Sequence, residues 1–353
     1  MRKLLLLLTI LTISTVVLAQ NNCEKAQKNF DEAVKSIDAK QFVLAEQLLK
    51  EAITLCPSED YKYSFELAWN YYLIKEYSQA IKCLTPYIER DSIPADFYQL
   101  LGNIYDESSD EGMAVISYNK GLIKYPNAGC LFLERGNICN KNSDFRRALF
   151  YYEDGILKDP KYASNYFRAA KIFLGSSEEV WGLMYGEIFM NLEKNSDRAK
   201  EMSKMLYDTY HSEITFNTDG IVLSFNDPTI IYSDSPEHPN LFPENFHNSM
   251  LKACRGERII NISTLVDIRT RFIRNFYTQS HSFKNILFDY HKTLIDLGYF
   301  EAYNYWLFGY GNSVEASKWI SQNKGQFDKF MNWYNNNAIP INKDNVFTRY
   351  KME

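Results

Sequence analysis

The sequence predicts an all-α fold: a stack of antiparallel helix hairpins, then a mostly helical C-terminal region with one small β-hairpin. Three observations lead there. Small residues recur in a fixed register, prolines close the repeated units, and the pattern changes near residue 195.

The register comes first. Ala45, Ala80, Ala114 and Ala148 are spaced by 35, 34 and 34 residues. Twelve positions before each stands Ala33, Ala68, Gly102 or Gly136, and twelve after three of them stands Pro57, Pro126 or Pro160. The second unit has Ser92 there, with Pro94 two positions on. A self-similarity of this length marks an array of supersecondary units. Two antiparallel helices cross most closely where both carry Gly or Ala. Bulky residues such as Leu101, Tyr105 and Tyr118 fill the groove, and the proline ends the second helix because it cannot extend the hydrogen-bond ladder.

Tyr98-Gln-Leu-Leu101-Gly102-Asn-Ile-Tyr105, followed by Ala114, Tyr118 and Pro126, resembles the tetratricopeptide (TPR) signature. Four copies match, over 26–59, 61–94, 95–128 and 129–162. A divergent fifth, 163–195, keeps Tyr166 and Ala170 but has Gly182 in place of the alanine and lacks the closing proline. The resemblance implies a right-handed α-α superhelix over 20–195, with the first helix of each repeat lining its inner face.

It also implies which side chains point inward: Phe65, Trp69 and Tyr72; Gln99, Asn103 and Asp106; Asn137, Asn140 and Lys141; and Lys171. Asn103 and Asn137 occupy one position in successive repeats. Either their amides pair with an extended peptide backbone, or they cap and pair within the stack. Phe65, Trp69 and Tyr72 either anchor an apolar or sugar ring or pack as core. The lysine-rich carboxylate clamp of chaperone-binding relatives is not matched, because Phe65, Gln99 and Leu133 stand at its positions.

The N-terminus reads as an address. Arg2 and Lys3 precede an apolar run from Leu4 to Leu18, and Val17-Leu18-Ala19 offers small or apolar residues before Gln20. This order predicts a secretory signal peptide over 1–19, cleaved after Ala19. The run falls short of the roughly 20 residues a spanning helix needs, so the expected chain is periplasmic or secreted, with no transmembrane anchor. Gln20-Asn21-Asn22 before Cys23 does not fit a lipid-acceptor site.

Without the leader, 37 basic residues face 44 acidic ones, interspersed along the chain. Nucleic-acid binding needs a basic face to displace counterions, so no such partner is expected. The aromatic content, 26 Tyr, 23 Phe and 5 Trp, suits both helix packing and binding surfaces. Six cysteines show no CxxC pair and no histidines at zinc spacing, so neither metal nor cofactor is expected. Hairpin geometry brings Cys23, at the start of the first helix, near Cys56, at the end of the second. A staple between them is one of several pairings the sequence leaves open.

Past residue 195, alternating apolar residues around Asp219-Gly220 predict a β-hairpin over about 213–225. Three prolines within 233–243 predict an irregular loop. Helical periodicity returns over 265–276, 284–297, 300–308, 313–321 and 326–335, a cap over the last apolar face of the array. Asn312 and Glu315 form a helix-start capping pair.

No catalytic motif stands out. Glu237, His238, Glu244 and His247 cluster near the proline-rich loop, and Cys254 lies beside Arg255 and Arg258, which could lower its pKa. The expected function is a non-enzymatic adaptor that holds another protein or an extended peptide. The alternatives are a carbohydrate- or envelope-associated binding protein and a hydrolase with its site in 213–257.

Overall fold

The computed structural model describes residues 2–91, 93–218, 220–226, 241–279 and 285–351, with side chains from Gln20 onward except at 241, 279 and 351. The chain divides into two compact units, Met1–Pro126 and Asn127–Glu353.

The first unit holds three helix hairpins. They are α1 (Arg2–Asp38) with α2 (Phe42–Leu55), α3 (Asp60–Leu73) with α4 (Tyr77–Leu84), and α5 (Asp96–Glu107) with α6 (Glu111–Lys124). Helix α1 runs unbroken through Ala19, so the apolar leader and the first repeat helix are continuous. Cys23 and Cys56 are joined by a disulfide that ties the two ends of this hairpin together.

The second unit opens with two further hairpins, α7 (Gly129–Lys141) with α8 (Phe145–Lys158) and α9 (Ala163–Leu174) with α10 (Glu179–Leu192). Then come α11 (Asp197–Glu213), β1 (Ile214–Asn217) and β2 (Gly220–Leu223), and α12 (Leu241–Ala253). The series α13 (Ile262–Gln279), α14 (Ile286–Asp296), α15 (Phe300–Leu307), α16 (Ser313–Gln322) and α17 (Lys324–Asn336) completes it. The strands pair antiparallel with Ile214 opposite Leu223 and Asn217 opposite Gly220. Asp219 of the expected turn lies outside the described residues, as does most of the proline-rich loop; its last residues, 241–243, belong to α12.

The hairpins repeat one packing arrangement, and the repeat positions show why. Ala33, Ala45, Ala68, Ala80, Ala114 and Ala148 are fully buried at the helix crossings. A Cβ built on Gly102 would lie 2.2 Å from the Tyr118 ring, and one on Gly136 would lie 2.3 Å from Tyr152. Glycine is therefore the small partner that lets a tyrosine lie flat in the crossing; a methyl there would overpack it by about 1–3 kcal/mol. In the divergent fifth hairpin Gly182 takes the same part, since its Cβ would meet the backbone nitrogen of Leu174 at 2.7 Å.

In the first four hairpins the turn between the paired helices is also repeated. Lys40, Lys75, Ser109 and Ser143 all adopt positive φ, between 58° and 67°. At the last of these, Ser143 N donates to Asn140 O at 3.0 Å and Asp144 N to Cys139 O at 2.9 Å, and each of the others carries the same two bonds. This C-terminal motif satisfies carbonyls that a helix end leaves orphaned. Asp110 and Asp144 then cap the following helices, accepting from Met113 N and Arg147 N.

One core runs through the second unit from Leu133 to Phe347. Helix α10 lies inside it, with every residue from Val180 to Asn191 buried. This is why the last two hairpins join the C-terminal helices in one unit instead of ending with the repeat array. At the centre of α10 the Glu187 carboxylate accepts from Arg269 Nη2 at 2.5 and 2.6 Å. It also accepts from His291 Nε2 at 2.7 Å and Tyr303 Oη at 2.8 Å. Asn191 links Tyr303 to Tyr334, and Arg269 Nη1 donates to Asn304 Oδ1. Burial alone would raise the Glu187 carboxyl, but Arg269 and His291 outweigh it and hold it at about 2. Burial lowers His291, so its ring is neutral and Nε2 carries the proton it donates to the carboxylate.

Elsewhere Glu315 joins two helix starts. Its backbone N–H donates to Asn312 Oδ1, and its carboxylate accepts from Ile262 N and Ser263 N at 2.9 Å each.

Three outcomes are expected. Reducing Cys23–Cys56, which spans 33 positions, should destabilise the first hairpin by about 3–4 kcal/mol. A urea titration followed by circular dichroism with and without reductant measures it, and coincident curves would contradict the tie. Arg269→Leu should cost about 3–5 kcal/mol by leaving Glu187 buried and uncompensated. Both Glu187 and His291 have folded pKa values below their ordinary ones, so the folded state binds fewer protons than the unfolded chain. Stability is therefore full above about pH 6.5 and falls first as His291 gains a proton in the unfolded chain. A further loss comes between about 4.5 and about 2, through Glu187. A melting series across that range should show the decline in the native protein and a weakened low-pH limb in Glu187→Gln.

Candidate functional site: a basic and aromatic cleft beside the fourth hairpin

In the first unit, Phe65, Trp69 and Tyr72 lie on α3, and they divide. The Phe65 ring packs 5.0 Å from Phe97 of α5 and is inter-hairpin packing. Trp69 and Tyr72 stack on one another at 5.3 Å, and Trp69 is 37% exposed. Gln99 and Asp106 are half-buried on α5.

The two asparagines have a role within their own hairpins. Tyr118 Oη donates to Asn103 Oδ1 at 2.7 Å, and Tyr152 Oη donates to Asn137 Oδ1 at 3.0 Å. Asn137 Nδ2 also donates to Glu134 at 2.8 Å. Each asparagine follows the glycine on which the same tyrosine lies. The recurrence is thus a Gly-Asn pair that seats one tyrosine, ring on the glycine and hydroxyl on the amide.

Asn140 and Lys171 meet at a cleft of about 1230 Å³, while Lys141 is exposed at the end of α7. Helices α8 and α9 supply most of the cleft wall, with the α9–α10 turn and the C-terminal residues Arg349 and Tyr350. Helix α8 is amphipathic. Ala148, Leu149, Tyr152 and Ile156 are buried, while Phe145 and Phe150 on its other face are each 52% exposed and line the cleft.

Cations accompany these rings: Arg146 and Arg147 on α8, Arg168 and Lys171 on α9, and Arg349. Arg147 pairs with its own N-cap Asp144, and Lys171 with Glu201 at 2.7 Å; both pairs are largely solvated. The acidic residues in the wall are Asp154 and Glu178. Burial raises the Asp154 carboxyl, against the opposing charge of Lys158.

The C-terminal wall is held from below. Ile339, Ile341, Val346 and Phe347 are buried, and Phe347 contacts the rings of Trp181, Tyr185 and Phe242. Arg349 N donates to Tyr185 Oη at 2.9 Å, and Tyr185 Oη donates to Glu153 Oε1 at 2.5 Å. Arg349 Nη2 closes the loop on Glu153 Oε2 at 3.1 Å. Burial would lower the Arg349 guanidinium, but Glu153 keeps it well above its ordinary value, so it stays charged.

Sequence reasoning placed the inner-face positions on α3, α5, α7 and α9 and missed this cleft. The aromatic and basic run Phe145-Arg146-Arg147 together with Phe150 was its one available signal. Nothing local linked residue 349 to residue 153.

In the segment 213–257, burial pushes the Cys254 thiol up to about 12, so its neighbouring arginines do not activate it. Glu237 and His238 lie outside the described residues. Among the described residues no group of three or more His, Cys, Asp or Glu is placed to hold a metal, and no helix is long and apolar enough to cross a membrane.

No protein-family model matches the chain, and no curated protein matches it. Among the solved structures similar to it are several described as TPR proteins. A TPR protein from Parabacteroides merdae is 12% identical at a TM-score of 0.40, covering 87% of this chain and 99% of its own. TTC0263, a TPR protein of Thermus thermophilus, is 15% identical at 0.42, covering 51% and 98%. YrrB, described as a TPR protein with an unusual peptide-binding site, is 14% identical at 0.34, covering 52% and 95%.

Glu153 is fully buried beneath the cleft wall. Arg349→Ala should therefore lower stability by about 3–5 kcal/mol, through the uncompensated carboxylate. Arg349→Ala combined with Glu153→Gln should recover most of the loss. Urea midpoints of the single and double variants measure this, and equal midpoints for both would show that the pair holds nothing in place.

Proposed function

We propose that this protein is a binding scaffold of an exported chain, non-catalytic, that holds a segment of another polypeptide in the cleft between α8 and α9. One observation carries the reading. A cleft of about 1230 Å³ is bordered by two half-exposed phenylalanines and by arginines and a lysine, on helices packed within the fourth and fifth hairpins. Large side chains left half in water beside a concavity gain by being covered, and aromatic and arginine side chains dominate binding energy where partners meet. The volume exceeds the usual range of small-molecule pockets, roughly 300–1,000 Å³, and suits several residues of chain.

Export is part of the proposal. The leader order of Arg2, Lys3 and the apolar run to Leu18 supports it. So does the Cys23–Cys56 disulfide, a bond that persists in oxidising compartments and is rare in reducing ones. A stacked, part-exposed Trp69 and Tyr72 suits a sugar face as well as a side chain, so glycan binding is the outcome against which the scaffold reading is tested.

The protein recovered from exporting cells, with a mature N-terminus expected at Gln20, should retain one or more specific proteins from envelope extract. A Phe145→Asp, Phe150→Asp double variant of equal helicity should lose them by tenfold or more. If both forms retain the same proteins, the cleft is not the binding surface. Retention of glycan alone, with quenching of Trp69 fluorescence, would replace the scaffold reading with carbohydrate binding.

A further inference from the structure

The arginines beside Cys254 mark a second surface, which shares no residue with the cleft and does not depend on the scaffold reading. The loop Arg255-Gly256-Glu257-Arg258-Ile259 follows α12 and leads to α13. Gly256 turns it at a φ of 93°, and a Cβ built there would meet nothing within 4 Å, so the turn projects into open space. Ile259 on this loop is 60% exposed. Thr264 Oγ1 donates to its carbonyl at 3.0 Å, and the Glu315 carboxylate on Ile262 N and Ser263 N seats the start of α16 at the same end of α13. That contact sets Val314, 81% exposed, beside the loop. Two branched aliphatic side chains left so far in water gain by being covered.

Unpaired positive charge surrounds them. Lys252 in the last turn of α12, Arg255, Arg258, and Lys318 on the Val314 face of α16 are all exposed. None of the four pairs with a carboxylate among the described residues. The acids of the loop and of α16 are already engaged. Glu257 pairs with Arg271 at 2.7 Å, and Glu315 accepts the two amides at the start of α13. Helix α13 adds one acid, Asp267, exposed a turn beyond Ser263. The chain as a whole carries a formal charge of −5, so this end of α13 has the opposite sign to the rest.

We infer that this tip docks on the surface of an anionic lipid bilayer. Ile259 and Val314 enter between the head groups, and the four cations lie against the lipid phosphates. Shape selects this occupant. A projecting aliphatic tip has no facing wall with which to enclose a partner's side chain, whereas fluid lipid closes around it. Apolar insertion and attraction to anionic head groups together give reversible surface binding, and each basic residue near such a surface contributes roughly fivefold. Among the described residues no helix is long and apolar enough to cross a membrane, so the attachment is one of lying on the bilayer.

The test is cosedimentation of the protein recovered from exporting cells with vesicles of phosphatidylcholine, alone or mixed with phosphatidylglycerol. Binding to the mixed vesicles should be tenfold or more the tighter, and should weaken as salt screens the surface. An Ile259→Asp, Val314→Asp variant of unchanged helicity should lose it tenfold or more. Arg255→Gln with Arg258→Gln should do the same, at roughly fivefold for each cation. Arg255→Lys with Arg258→Lys should keep it, because a lipid surface reads the charge and not the guanidinium fork. Equal binding to the two kinds of vesicle would overturn the inference. So would full binding by the Ile259→Asp, Val314→Asp variant, which would place the attachment elsewhere on the chain, the leader included. Polyglutamate bound as tightly as the mixed vesicles, and lost in the same variants, would mark a surface for an acidic protein instead.

Discussion

The second unit is organised around a charge buried away from the surface. Glu187 sits at the middle of α10, a helix buried along almost its whole length. A carboxylate there survives only if donors converge on it. Those donors come from three separate helices: Arg269 from α13, His291 from α14 and Tyr303 from α15, with Asn191 and Tyr334 extending the network to α17. Apolar packing tolerates small slides between helices, whereas a charge-assisted contact of one guanidinium nitrogen to both carboxylate oxygens does not. The network therefore sets the register of the C-terminal helices on α10.

Helix α10 passes that constraint to the cleft. Tyr185, two residues before Glu187, holds both Glu153 of α8 and the backbone of Arg349. One helix thus carries two buried polar networks, one facing the C-terminal helices and one joining the tail to the fourth hairpin. The candidate site is built from the exposed face of α8 and from a tail almost two hundred residues further along. The buried Glu153–Tyr185–Arg349 chain is what brings these parts to one place.

The third and fourth hairpins rest on a smaller device, a tyrosine lying on a glycine. Gly102 with Tyr118 and Gly136 with Tyr152 show it in full, with Asn103 and Asn137 accepting the hydroxyl. In the fifth hairpin the glycine has moved to the second helix, at Gly182, and takes Leu174 against it. That copy is divergent in sequence because the close approach has changed sides, though the hairpin persists.

The helical hairpins, the β-hairpin and the helices beyond residue 262 were legible in the sequence because they depend on local periods. Small residues recur at a helix crossing, prolines stop a helix, and apolar residues alternate on a strand, each within a few tens of residues. The paired ends Cys23 and Cys56 lie within one such unit. The binding surface was not legible, because identical residue types serve opposite ends. Phe65 is packing where Trp69 is exposed, and Asn137 is spent on Tyr152 where Asn140 lines a cleft. The sequence by itself determined the repeating hairpin, since its period is a property of neighbouring turns. Only the tertiary structure decided that α10 would be enclosed, that Glu187 and Glu153 would need buried partners, and that the tail would return to α8. Those outcomes depend on charges meeting across more than eighty positions, where no period runs.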